Sequence, residues 1–154
     1  MKKIGKIILI ALLIIVVVIQ FVPANLPENK TDNPGDIALA STASEEVMVI
    51  LKTSCYDCHS NQANLPWYSK IAPVSWLLAH DMNEGRKELN FSEWGTYPKR
   101  RLLKKLEEIG EEVEEEEMPL PIYTVMHGDA NLSADQRKLL VDWTKTEGKH
   151  LLEN

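Results

Sequence analysis

The chain contains two cysteines, three positions apart, and a histidine directly follows the second. The five residues are Cys55-Tyr56-Asp57-Cys58-His59. On one helical turn this spacing places both thiols and the imidazole on the same side. Two thiols so spaced match the two vinyl groups of a haem, and the next side chain then lies under the iron. The motif predicts one covalently attached haem c per chain, with Cys55 and Cys58 as thioether attachments and His59 as the proximal iron ligand.

The N-terminus has the composition of an export segment. Three lysines lie within the first six residues, and an unbroken aliphatic run extends from Ile7 to Ile19. Val22-Pro23-Ala24 offers a small-residue cleavage site, so residues 1–22 are interpreted as a signal peptide or a membrane anchor. The positive-inside rule keeps the basic end cytoplasmic. The remainder is therefore expected to be exported, either anchored at the periplasmic face of the cytoplasmic membrane or free in the periplasm.

Residues 23–36 hold three prolines among polar residues without apolar periodicity, which is typical of a linker. Residues 37–154 then form a single domain of ordinary size. Without the three N-terminal lysines the formal net charge falls from −6 to about −9. This acidic balance argues against nucleic acid as a partner and suits a basic redox protein.

Helical periodicity recurs along the domain, and no stretch alternates as a strand would, so we predict an all-α fold. The first helix, from Ala43 to about Thr53, has Thr42 as the N-cap of a capping box and leads into the cysteine motif. Further helices are predicted from Val74 to about Lys87, from Pro98 with an apolar stripe at Leu102, Leu106, Ile109 and Val113, and from the Ser133 capping box to a C′ residue at Gly148.

Together these features resemble the small exported haem-binding domain found in many bacteria, often behind an N-terminal anchor. The resemblance covers nearly all of residues 43–143 and implies a cytochrome c-like helical fold around one haem, but no named substrate or partner. The matching stretches are Cys55 to Asn61, Pro66-Trp67-Tyr68, Ile71 to Trp76, His80 with Glu84-Gly85-Arg86 and Leu89 to Ser92, Met118-Pro119 with Tyr123 and His127, and Leu132-Ser133 with Leu140 and Trp143.

The second axial position of the iron has three candidate ligands. Met118 comes first, because it precedes Pro119 in the loop before the last helix, where class I cytochromes carry their distal methionine. A thioether there would raise the reduction potential. His127 and His80 are the alternatives. Arg86 is a candidate partner for a haem propionate, since a guanidinium suits bidentate carboxylate contact, and the side chains predicted to pack on the haem are Trp67, Trp76 and Trp94.

These residues favour a one-electron carrier of the cell envelope over an enzyme. The first alternative is a haem sensor or peroxidase-like enzyme, which needs an open distal site and an acid/base group such as His80 or His127. The second is a thiol–disulfide oxidoreductase that uses Cys55 and Cys58, although such proteins place their low-pKa thiolate after a strand. A structural disulfide across so short a loop would stabilise little and leave His59 without a role.

Overall fold

Helices make up all of the regular structure in residues 2–153, the range that the computed structural model describes. The predicted all-α class is confirmed. The α-helices are α1 (Lys2–Ile19), α2 (Ile37–Ala40), α3 (Glu45–Ser54), α4 (Tyr56–His59), α5 (Val74–Glu88), α6 (Lys99–Glu114), α7 (Pro121–Thr124) and α8 (Ala134–Glu153). Short 3₁₀ helices lie at Trp67–Lys70, Phe91–Thr96 and Gly128–Ala130.

The two long helices α6 and α8 pack against each other and build much of the core. A Cβ added at Gly110 of α6 would lie 3.0 Å from Thr144 Oγ1 of α8, so this glycine permits a close crossing. Full burial of one aliphatic side chain stabilises a fold by about 1.5–3 kcal/mol. The apolar stripe predicted along α6 is confirmed, because all four of its members are buried: Leu102, Leu106, Ile109 and Val113.

The start of α3 differs from the prediction. Ser44 is the N-cap in place of Thr42, and its hydroxyl accepts a hydrogen bond from the backbone N–H of Val47 at 3.3 Å. Thr42 instead donates its backbone N–H and its hydroxyl to the buried carboxylate of Glu147 in α8. The capping box predicted at Thr42 is wrong because Glu147, 105 residues away, accepts the hydrogen bonds that the threonine makes.

Helix α8 confirms one terminus of its prediction and corrects the other. The Ser133 hydroxyl accepts from Gln136 N at 3.2 Å, and Gln136 Oε1 accepts from Ser133 N at 2.9 Å, which is the reciprocal capping box. The predicted end at Gly148 is wrong, because α8 continues through it to Glu153. Gly148 has no left-handed backbone conformation with which to end the helix.

Much of the stretch before α2 lies against the helical domain. Arg86 Nη1 donates to the Glu28 carbonyl at 2.7 Å, and Asn83 Nδ2 donates to the Asn25 carbonyl at 2.9 Å. Both donors belong to α5. Hydrogen bonds from α5 side chains to the backbone carbonyls of this stretch therefore hold it along α5.

Asp36 ends this stretch with a buried carboxylate. Its Oδ1 accepts from the backbone N–H of Ala38, which caps α2, and from the Tyr56 hydroxyl at 2.7 Å. Its Oδ2 accepts from Ser92 Oγ at 3.3 Å and from Gln62 Nε2 at 3.4 Å. Asp36 therefore joins the start of the domain directly to Tyr56, one of the two residues between Cys55 and Cys58.

Helix α1 covers the basic start and the aliphatic run of the sequence. Just beyond it, Gln20 Nε2 donates to the Ala72 carbonyl and Gln20 Oε1 accepts from Ala72 N, each at 3.1 Å. Within residues 2–153 no helix is both long enough and apolar enough to cross a bilayer, and the predicted membrane anchor is not supported.

Candidate functional site

Helix α3 leads the chain directly into the cysteine motif. Cys55 N donates to the Leu51 carbonyl at 2.9 Å, and His59 N donates to the Cys55 carbonyl at 2.9 Å. The motif is therefore a turn of helix, in which residues three and four apart face the same way. Cys55, Cys58 and His59 all line one cavity, as their spacing predicts.

The two ring nitrogens of His59 have different environments. Nδ1 lies 3.0 Å from the Gly85 carbonyl oxygen and 3.1 Å from that of Leu89. A nitrogen that faces two carbonyl oxygens carries the ring proton, which leaves the lone pair on Nε2. Burial lowers the pKa of His59, so the ring is neutral at pH 7. This tautomer and charge are those of a histidine that ligates a metal through Nε2.

Both cysteines are free thiols, and both stay protonated at neutral pH. Burial, with the neighbouring Cys58, raises the pKa of Cys55 to about 12. Burial also raises the pKa of Cys58 to about 11, aided by the carboxylates of Asp57 and Asp81 and partly offset by Arg86. A redox-active dithiol needs a thiolate with a lowered pKa, and this environment does the opposite.

The cavity measures about 520 Å³, which is within the range of small-molecule and cofactor sites. Its inner wall is apolar. Helix α6 contributes Ile109 and Val113, and the end of α5 with the following 3₁₀ helix contributes Leu89 and Phe91. Leu120 closes the side after α6. An apolar enclosure with two thiols and one neutral imidazole on its wall fits a haem, since each group offers the chemistry that covalent attachment and iron ligation require.

Met118 lies on the wall of the same cavity as His59. It is half-buried, and its backbone N–H donates to the Glu112 carbonyl at 3.1 Å, which ties it to the end of α6. Of the three residues predicted as distal ligands, Met118 is the one that the structure brings to the cavity.

The two histidines predicted as alternative ligands lie outside the cavity lining. His127 Nε2 is 2.5 Å from the Tyr68 hydroxyl. The His127 ring stacks on the ring of Tyr123, with centroids 4.2 Å apart and an angle of 11° between planes. His80 is exposed on α5. Tyr123 lines the cavity, so its ring stands between the cavity and His127.

Arg86, predicted to meet a propionate, faces the stretch before α2 rather than the cavity. Besides its bond to the Glu28 carbonyl, its Nη2 donates to Asn29 Oδ1 at 3.1 Å. Burial lowers the pKa of Arg86, and its Nε is buried without a hydrogen-bond partner among the described residues.

The three tryptophans predicted to pack on the haem do not line the cavity. Trp94 is fully buried one layer behind Phe91, with ring centroids 6.3 Å apart. Trp76 is half-buried, and its Nε1 donates to the Val22 carbonyl at 3.2 Å. Trp67 is 75% exposed.

The cavity wall includes residues that the sequence did not assign to the site, among them Phe91, Lys105 and Tyr123. Phe91 stacks on Tyr56 at 5.6 Å and meets the His59 ring edge-on at 6.2 Å. Lys105 is buried and lies one turn before Ile109 on α6, a spacing that could have revealed it. Tyr123 gave no such periodic signal, because α7, to which it belongs, has only four residues and its position depends on the loops around it.

The mouth of the cavity is acidic. Lys105 Nζ is 2.6 Å from Glu108 Oε2 and 3.6 Å from Glu88 Oε2, so the lysine is already paired. Its hydrogen bond lowers the pKa of Glu108 and keeps that carboxylate charged. Glu84, also in the lining, pairs at 3.2 Å with Lys87, which lies outside it. The acidic residues that line the cavity are Asp57, Asp81, Glu84, Glu88, Glu108 and Glu112.

An all-helical domain with a neutral histidine, two thiols and a methionine on one apolar cavity belongs to the class of small helical cofactor-binding proteins. Comparison with family models gives the particular family. The chain belongs to the haem-binding domain family, whose model matches residues 14–146. It is accordingly a haem-binding protein, as its motifs predict. No curated protein and no solved structure matched the chain.

Proposed function

We propose that this chain is a mono-haem c-type protein that carries single electrons in the cell envelope. One observation carries the proposal: Cys55, Cys58 and the free-Nε2 histidine His59 line the same apolar cavity. Haem, when bound, supplies a one-electron iron couple whose potential depends on its axial ligands. The roles of the chain's own residues follow from this arrangement.

The two thiols make the covalent attachment. Each would add its S–H across one vinyl group: the S–H bond and the vinyl π bond would break, and a carbon–sulfur and a carbon–hydrogen bond would form. Their raised pKa values suit neutral thiols held until that addition. His59 offers Nε2 to the iron, while the Gly85 and Leu89 carbonyls hold its Nδ1 proton and fix the ring plane.

Met118 is our proposed distal ligand. It is supported by its place on the cavity wall and by the absence of His80 and His127 from that wall. A thioether favours the reduced iron and so raises the potential, which suits an electron carrier. If His59 and Met118 both bind the iron, electron transfer would need little rearrangement.

The two alternative functions find less support. A sensor or peroxidase-like enzyme needs an acid/base group beside an open distal site, and the two histidines that would serve lie outside the cavity lining. A thiol–disulfide oxidoreductase needs a low-pKa cysteine, whereas burial raises the pKa of both thiols. An electron carrier requires neither feature.

We further propose that the protein is exported and works with a basic redox partner. The basic start and the short aliphatic run from Ile7 to Ile19 have the make-up of a signal peptide. Covalent haem attachment to such motifs takes place on the far side of the cytoplasmic membrane. The carboxylates around the cavity mouth favour a positively charged partner where the haem edge would be reached.

A pyridine haemochrome spectrum tests the proposal. The full chain is expressed with a c-type maturation system and denatured before the spectrum is recorded. We expect a c-type spectrum, one haem per chain and resistance to acid–acetone extraction. The variant Cys55→Ser/Cys58→Ser is the control, and it should lose covalent haem. A wild-type chain whose haem extracts fully, while a known cytochrome matures alongside, would exclude the c-type assignment but leave haem binding intact.

A further inference from the structure

The segment formed by residues 118–127, which precedes the buried residues Ala130 and Leu132, carries the proposed distal ligand and has few connections to the rest of the domain beyond the backbone bond from Met118 to Glu112. Ile122, Val125 and Met126 are 61%, 77% and 60% exposed, so apolar burial contributes little to holding it. Residues 119–127 make two side-chain hydrogen bonds to other parts of the described chain. One is the Tyr123 hydroxyl to Asp57, and the other joins His127 to Tyr68.

The Tyr123–Asp57 bond reaches directly to the attachment motif. The Tyr123 hydroxyl donates to Asp57 Oδ2 at 2.7 Å, and Asp57 is the residue before Cys58. The other carboxylate oxygen of Asp57 accepts from the backbone N–H of Asn64 at 2.7 Å. Because the Asn64 bond holds Oδ1, the carboxylate is oriented independently of Tyr123.

The Tyr123 ring is fixed on both sides. One side lines the cavity, and the His127 ring stacks on the face at 4.2 Å. Burial, together with the bond to Asp57, raises the pKa of Tyr123, so its hydroxyl is a donor at neutral pH. Tyr123 is therefore part of the cavity wall, and its hydroxyl links this wall to Asp57 in the attachment motif.

We propose that Tyr123 is a positioning residue for the haem site: its hydrogen bond to Asp57 holds the segment that carries Met118 against the attachment motif and so limits access to the distal side. The proposal rests on Met118 being the distal ligand. Without the bond, the segment opens locally more often, since little else fastens it. A competing ligand such as imidazole then enters more readily.

The test compares Tyr123→Phe with Tyr56→Phe in the haem-loaded protein. Both changes remove a tyrosine hydroxyl that donates to an aspartate at 2.7 Å, and both aspartate pairs involve the attachment motif. The Tyr56 hydroxyl, however, bonds to Asp36, which lies outside residues 119–127. Two quantities are measured: amide hydrogen exchange of residues 119–127, and the affinity of the ferric protein for imidazole. Met118→Ala gives the affinity of a protein whose distal side is open.

For Tyr123→Phe we expect exchange in residues 119–127 to accelerate and imidazole to bind more tightly, each by roughly tenfold, the effect of one lost hydrogen bond to a charged acceptor. Tyr56→Phe should leave the exchange of residues 119–127 at its wild-type value. Unchanged exchange in Tyr123→Phe would overturn the proposal. Faster exchange with unchanged imidazole affinity would overturn its link to the haem site.

An incorrect assignment of Met118 as the distal ligand would give a different result in the imidazole measurement. If wild type already binds imidazole as tightly as Met118→Ala, Met118 is not the ligand, and the control of distal access falls with it. Hydrogen exchange would still report whether Tyr123 fastens the segment. If Tyr123→Phe gave no haem-loaded protein, Asp57→Ala would remove the same bond from the other side and should show the same pair of changes.

Discussion

At the residue scale, His59 and the two cysteines show how backbone contacts set chemistry. His59 has its proton fixed by two carbonyl groups, at 3.0 and 3.1 Å from Nδ1. Cys55 and Cys58 lie on the same cavity but are kept as thiols by burial. Burial in one environment therefore keeps the His59 imidazole neutral and both cysteines in the thiol form.

The thiols of the folded, haem-free chain should alkylate slowly. With a pKa of about 11, Cys58 at pH 8 carries roughly a hundredfold less thiolate than an ordinary cysteine, so iodoacetamide should react about a hundredfold more slowly. The rate should rise with pH until the pKa is passed. Single variants Cys55→Ser and Cys58→Ser assign the signal, and the same chains unfolded in denaturant provide the reference. Alkylation at the unfolded rate would show that the thiols are not protected.

Replacing Met118 should change the haem spectrum and the potential together. Met118→Ala removes the thioether, so the weak near-infrared band of the ferric iron–sulfur bond should disappear and the potential should fall, on the order of 100 mV. Met126→Ala is the matched control, since Met126 is 60% exposed in the same segment. If the control lost the band and Met118→Ala kept it, the assignment of the ligand would be reversed.

At the scale of the elements, Gly85 determines how closely α5 approaches the attachment motif. A Cβ at this position would lie 2.9 Å from the Cys58 carbonyl oxygen and 3.3 Å from Cys58 Cβ. Real Cβ atoms do not approach a backbone so closely, so a side chain would push α5 and α4 apart. The same contact brings the Gly85 carbonyl to His59 Nδ1. A residue that weakens the helix thus makes the site possible.

Two glycine substitutions should have opposite effects on stability. Gly85→Ala gains up to about 1 kcal/mol of helix propensity but forces an overlap that costs about 1–3 kcal/mol, so we expect a net loss. Gly148→Ala gains the same propensity, and its Cβ would meet Leu103 at an ordinary 4.0 Å, so it should stabilise α8. Thermal unfolding of both haem-loaded variants measures the difference. Equal stabilisation by the two changes would mean that α5 can move away at no cost.

The elements also show what sequence can and cannot predict. The α6 stripe and the Ser133 capping box are local patterns, and both are confirmed. The position of Tyr123 depends on its long-range hydrogen bond to Asp57, and Thr42 loses its predicted capping role to Glu147 in the same way. The cysteine motif was found because its chemistry is contained in five consecutive residues. The partners of Arg86 lie 57 and 58 residues away, which no local pattern encodes.

At the scale of the whole molecule, acidic charge is concentrated where the proposed haem would be reached. The chain has 17 basic and 23 acidic residues, and the cavity lining alone includes Glu84 and Glu112 near its mouth, with one lysine that is already paired. Such a field attracts cations and repels anions over a distance set by ionic strength. The same field favours the oxidised iron and so lowers the reduction potential, whereas a thioether ligand raises it.

Electron exchange with small reagents should therefore depend on salt with a defined sign. Reduction of the ferric protein by a cationic hexaammine complex should slow by roughly tenfold as salt rises from about 0.01 to 0.5 M, whereas an anionic reductant should react faster. Glu84→Gln/Glu112→Gln should lower the low-salt rate with the cation. The control is Glu45→Gln/Glu46→Gln, which makes the same charge change at the start of α3, outside the cavity lining. This control should lower the low-salt rate much less. Equal effects of the two pairs would mean that net charge, not the cavity mouth, attracts the reagent.

The two residues between the cysteines point to different parts of the protein. Tyr56 is anchored in the core through Asp36, and Asp57 holds both Asn64 and Tyr123. The two residues between the cysteines are consequently not interchangeable with those of another such motif. Replacing them would keep the two thiols and the imidazole. It would remove the hydrogen bond from Tyr56 to Asp36 in the core and the hydrogen bond from Tyr123 to Asp57. In this protein the two residues between the cysteines connect the motif to the core and to the cavity wall that includes Tyr123.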